Sequence, residues 1–117
     1  VNYIDGFLLA VPTANKEAFR EMAVRVAKVF KEHGALSVVE CWGDDVPEGK
    51  VNSMHSAVLR KPEETVVFAW IVWPSKGVRD AGQQKVREDP RLHEGMDPNI
   101  FDGKRMIFGG FDVIVDV

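Results

Sequence analysis

Thr65-Val66-Val67-Phe68-Ala69-Trp70-Ile71-Val72-Trp73 is the stretch whose reading decides the fold. β-Branched and aromatic residues dominate it and Pro74 ends it, so it reads as a β-strand. Strand side chains alternate between two faces. Val66, Phe68, Trp70 and Val72 point one way; Val67, Ala69, Ile71 and Trp73 point the other. Both sets are apolar, so both faces of the sheet need cover. The first strand, about Tyr3 to Val11, repeats the pattern with Phe7, Leu9 and Val11 against Ile4, Leu8 and Ala10. A last strand, Met106 to Val115, sets Met106, Phe108 and Ile114 against Ile107, Phe111, Val113 and Val115.

Between these strands lie two segments of helical period. From Lys16 to Glu32 the apolar residues Phe19, Met22, Ala23, Val26, Val29 and Phe30 form one stripe. Thr13-Ala14-Asn15 offers N-caps, and His33-Gly34 offers a cation and a left-handed cap at the other end. A second helix is expected from about Lys76 to Arg87, capped by Ser75, with Val78, Ala81 and Val86 facing inward and Asp89-Pro90 ending it. Ala35 to Gly43 reads as a strand. Residues 51–61 fit either a short helix or an irregular extension, and Arg91 to Lys104 reads as a loop. The order is β-α-β-β-α-β. Two helices cover one face of a four-stranded antiparallel sheet. The other face would leave roughly several hundred Å² of apolar surface open, which soluble monomers rarely do. A homodimer through the helix-free face is the expected remedy. The alternative is that residues 51–61 and 91–104 roof that face.

The chain has 117 residues, the length of one domain, so residues 1–117 are expected to form a single unit. Hydrophobic residues at 45% and charged residues at 28% exclude a disordered tail. The balance of 15 Lys+Arg against 18 Asp+Glu, net −3, argues against a nucleic-acid or anionic-membrane binder. A single cysteine, Cys41, excludes an intrachain disulfide and a cysteine-based zinc site. No apolar run approaches the roughly 18 residues of a membrane span. The start, Val1-Asn2-Tyr3-Ile4-Asp5, lacks the features of a signal peptide, and a cytoplasmic setting is expected.

Val39-Glu40-Cys41-Trp42-Gly43-Asp44-Asp45-Val46-Pro47, Trp73-Pro74-Ser75-Lys76 and Asp102-Gly103-Lys104-Arg105-Met106-Ile107, with the Thr65–Ile71 strand, resemble the YbaA-like family. These are small bacterial proteins classed as a domain of unknown function. The resemblance spans essentially the whole chain. It implies a ferredoxin-like fold paired into a dimeric α+β barrel, and no established reaction or catalytic residue. Some members carry a label linking them to the signal recognition particle RNA, which the net charge of this chain does not support.

Five residues are candidates for a site. Glu40 and Trp42 share a strand face with Val38, and Cys41 lies on the other face with Val39. A carboxylate among apolar neighbours can act as general acid or base, whereas at a sheet edge it is simply solvated. Asp5 precedes Gly6 inside a strand, where glycine often marks a bulge. A matching bulge at Gly109-Gly110 would open a gap beside it. His55, with Glu40 and Asp5, completes the expected catalytic set. Trp42 and Trp70 are the expected pocket lining, against the plainer roles of tryptophan in core and interface. Cys41 reads better as a small hydrophobe than as a nucleophile. His33, His55 and His93 lack metal-ligand spacing, and Asp102-Gly103-Lys104-Arg105 lacks the glycine-rich loop and helix of a phosphate cradle. No metal or cofactor is expected. The resulting expectation is a homodimeric protein that binds, or acts without cofactor on, a small apolar or aromatic ligand. The alternative is a non-enzymatic dimeric or protein-interaction module.

Overall fold

A computed structural model describes residues 2–117; Val1, part of the N-terminal stretch considered above, lies outside them. Four strands form one antiparallel sheet: β1 (Tyr3–Pro12), β2 (Ser37–Trp42), β3 (Glu64–Trp73) and β4 (Ile107–Asp112). Their spatial order is β2-β3-β1-β4. Helix α1 (Lys16–Glu32) and helix α3 (Lys76–Glu88) are the two crossovers. A one-turn helix α2 (Met54–Ala57) precedes β3, and a short α4 (Pro90–Gly95) follows α3. The element order read from the strand and helix periods is present, and the fold is ferredoxin-like, as the family resemblance implies. Among the described residues no helix is long and apolar enough to cross a membrane.

Local chemistry sets the element ends. Ser53 caps α2 in a reciprocal capping box with Ser56. Ser75 accepts from the Val78 amide at the start of α3. Asp89 accepts from the Arg91 amide at the start of α4, where Pro90 sits at the first helical position. Asp89 also takes hydrogen bonds from the Arg91 guanidinium and pairs with His33 at 2.9 Å, which ties the end of α1 to α4. Those bonds, Arg91 foremost and His33 next, hold its carboxyl well below the usual range.

The helix-facing side of the sheet carries cross-strand rows fixed by the register. One row is Phe108-Phe7-Ala69-Glu40, the next is Gly110-Asp5-Ile71-Val38, and a third is Leu9-Val67-Trp42. Phe19 and Met22 of α1 pack on Leu9, Val11 and Val67, and Ile100 and Phe101 close that cluster. The Arg91–Lys104 stretch is therefore not merely a loop. It forms α4 and a 3-10 turn at Gly103–Arg105, and it covers the helix side of the sheet.

The opposite side carries the rows Ile107-Leu8-Phe68-Cys41 and Gly109-Gly6-Trp70-Val39. Residues 51–61 reach only one end of it, where Val58 packs, fully buried, on Ala10 and Val66. The rest is uncovered. Phe68 is 45% exposed, Ile107 48% and Phe111 59%, although all three project from a sheet face. The concavity between them has a volume of about 690 Å³ and is lined by Ile4, Leu8, Met54 and the same three side chains.

Three expectations are corrected. The inner face of α3 is Gly82 and Val86, flanked by Arg79 and Gln83, whereas Val78 and Ala81 are exposed. The reason is that Trp73 and the His33 carbonyl press so closely on α3 that a Cβ at Gly82 would overlap them. Gly6 and Gly109-Gly110 form no bulge, because β1 and β4 pair in unbroken register. Their missing side chains make room for the Phe111 ring on one face and for Tyr3 and Arg79 on the other. Finally, β4 stops at Asp112, short of the predicted Val115.

Candidate functional site

Small side chains face each other between α1 and the sheet. Ala23 and Ala27 lie one turn apart on α1, and Ala69 lies beneath in β3. Three alanines where larger residues would fill the layer leave a cavity of about 170 Å³. Phe7, Phe19, Met22, Phe30 and Ile71 wall it, and Leu92, Met96, Phe101 and Met106 close it from the α4 side. Among the described residues Glu40 is its only ionisable lining group. A groove of about 300 Å³ shares Glu40, Phe19, Ala23, Ala27 and Val38 with this cavity. It opens past Lys16, Arg20, Cys41 and Trp42. Glu40 thus lines both the half-open apolar chamber and the neighbouring groove.

The Glu40 side chain is exposed at the groove, beside the apolar groups that line it. No hydrogen bond or ion pair to it is formed among the described residues. Desolvation pushes its pKa from 4.5 up to about 7. The sign of the effect on stability follows. The folded state keeps a proton that the unfolded chain releases above about 4.5, so stability is fully present below that pH and falls as pH rises through about 7. Glu40→Gln should remove this slope and leave the variant more stable than wild type at pH 8. With solvent screening at the groove allowed for, the gain is on the order of 1 kcal/mol. Urea denaturation of both proteins at pH 4 and pH 8 measures it.

Trp42 and Trp70 also border these spaces, whereas Asp5 and His55 lie elsewhere. Trp42 is on the same face as Glu40, tilted against Phe19 at 6.5 Å between ring centroids, and Lys16 Nζ stands 5.6 Å from its ring. Trp70 projects from the helix-free face and packs beside Phe68 at 5.5 Å. Asp5 is closed inside a polar cluster. Arg79 donates to it from Nε (3.0 Å) and Nη2 (2.8 Å), and Trp73 Nε1 and Gln83 Nε2 donate at 2.9 Å each. No gap opens beside it, and Ile71 and Val38 fill the row between Asp5 and the β2 edge. His55 lies in the segment before β3, 3.0 Å from Glu48, and that contact holds the Glu48 carboxyl below its ordinary range. Asp5, His55 and Glu40 therefore do not converge. Cys41 faces away from the cavity, beside Phe68. Arg105 of the 102–105 turn is bound to the buried Glu64 by two hydrogen bonds of 2.7 and 2.6 Å, so this stretch is a structural clamp. Sequence reasoning missed Ala23, Ala27 and Ala69. The signal was present as small residues at consecutive inward positions of a helix and at the centre of an otherwise bulky strand.

The family described as "Protein of unknown function (DUF1428)" matches residues 2–103. The chain belongs to this family. It is 54% identical over 116 residues to the uncharacterized protein YbaA of Escherichia coli K12, with 99% of each chain covered. The uncharacterized YbaA of Shigella flexneri matches equally, at 54% over 116 residues. The resemblance drawn from the Glu-Cys-Trp-Gly-Asp-Asp and Asp-Gly-Lys-Arg-Met stretches is thereby established. Two solved structures share the fold at low identity. One is a dimeric ferredoxin-like protein from an uncultured marine organism, with TM-score 0.62, 12% identity, and 99% of this chain and 98% of that chain covered. The other is Rv0793 from Mycobacterium tuberculosis, with TM-score 0.54, 11% identity and the same coverage. Neither the DUF1428 description nor the YbaA relatives assign a specific function.

Proposed function

We propose that this DUF1428 protein is a homodimer that binds a small apolar or aromatic molecule in the chamber beneath α1, with Glu40 as the group that exchanges a proton with it. One observation carries the reading: a lone carboxyl, without a partner, on the wall of an otherwise apolar cavity. A pKa near 7 suits a general acid or base at neutral pH, and such a site needs no cofactor. The volume of about 170 Å³ suits a single ring, since a cavity of about 150 Å³ holds benzene. The open sheet face and the dimeric ferredoxin-like neighbour support assembly as a pair. Bacterial relatives support a cytoplasmic setting.

A second reading, a dimeric module with no small-molecule role, is favoured by the size of the uncovered sheet face relative to the chamber. A thermal-shift screen of small ring compounds separates the two. Ligand binding predicts a rise in midpoint of a few degrees at saturating compound for wild type, and none for Ala23→Trp, whose indole fills the void. If no compound shifts wild type, the binding reading is lost and the assembly module stands.

A further inference from the structure

The chamber and the groove share Glu40 in their linings, and those linings differ in charge. The chamber is apolar apart from Glu40, whereas the groove adds Lys16 and Arg20 and no further carboxylate. Arg20 is offset by Glu17 at 2.9 Å, both exposed. Lys16 forms no ion pair among the described residues, and its ammonium rests over the Trp42 ring, 5.6 Å away. That contact orients the cation at the groove wall without neutralising it. Nor does it compensate Glu40, whose carboxyl is perturbed by desolvation alone. A molecule that occupies both spaces therefore meets an apolar pocket, a carboxyl, and a cation with no ion pair among the described residues. We propose that the ligand class is a single-ring compound bearing one anionic substituent, its ring in the chamber under Ala23 and Ala27 and its negative charge at Lys16.

This inference rests on the binding reading above and sharpens it. The test compares phenylacetate with its neutral isostere phenylacetamide, and adds toluene. Binding is followed by titration of wild type, Lys16→Glu and Ala23→Trp, at low and high salt. Wild type should bind phenylacetate about tenfold more tightly than phenylacetamide, with the margin shrinking at high salt. Lys16→Glu should abolish or reverse that preference while changing toluene binding less than about twofold, since an exposed side chain is being altered. Ala23→Trp should bind none of the three. If phenylacetate and phenylacetamide bind wild type equally, or the preference survives Lys16→Glu, the anionic class is wrong although the chamber is a binding site. If none of the three binds wild type, the chamber is not a binding site and both statements fall.

Discussion

Asp5→Ala should cost on the order of 3–5 kcal/mol of folding stability, the range for removing one partner of a buried ion pair. Asp5 is 3% exposed and serves four donor nitrogens, two on Arg79 and one each on Trp73 and Gln83. Without it the Trp73 indole N–H and the Gln83 amide lose their acceptor, and the guanidinium keeps only Asp80 at 3.0 Å. Each stranded donor adds to the loss. Arg79 also lies over the Tyr3 ring, 5.2 Å from its centroid, so the damage spreads to the start of β1. The Glu40 chamber does not include Asp5, and whatever population remains folded should bind ring compounds as wild type does. Urea denaturation at neutral pH gives the stability. A loss below about 1 kcal/mol would mean that water screens the cluster like a surface pair.

Phe68→Glu should raise the dimer dissociation constant by at least about 100-fold, close to 3 kcal/mol. Phe68 stands in the middle strand pair of the open face, between Leu8 of β1 and Cys41 of β2, and touches Trp70. A two-fold pairing would bury the substitution twice, placing two carboxylates in an apolar interface with no cation nearby. The monomer itself should fold, because the side chain is already 45% exposed. Sedimentation across a micromolar concentration series reads the outcome. A wild type that stays monomeric refutes the homodimer. A variant that dimerises as tightly as wild type moves the interface off this face.

Much of the fold was legible because period and punctuation agreed. The α1 stripe from Phe19 to Phe30 runs from Lys16 to Glu32 as expected, and Pro74 and Ser75 mark the passage from β3 to α3. The weak points were those where tertiary contacts overrode the pattern. Val78 and Ala81 looked like the inward residues of α3, but Trp73 needs the backbone at Gly82, and Asp5 needs Arg79 and Gln83 on the inner side. A helix as short as α4 leaves too few apolar residues for a period to show. For the site, Glu40 and Trp42 were legible from strand alternation. Asp5 was misplaced in role because its partner Arg79 is distant in sequence, and the glycines opposite it read as bulges. The chamber itself is defined by atoms that alanine lacks, which no motif announces.

The position of Val58 sets one limit of the open face. It sits on Ala10 and Val66 as a block at one end of an otherwise bare layer. Whatever covers the open face has only the remainder of the layer to rest on. On that remainder the Phe111 ring lies over the paired Gly6 and Gly109. The helix-turn before β3 thus shortens the apolar area left for a partner.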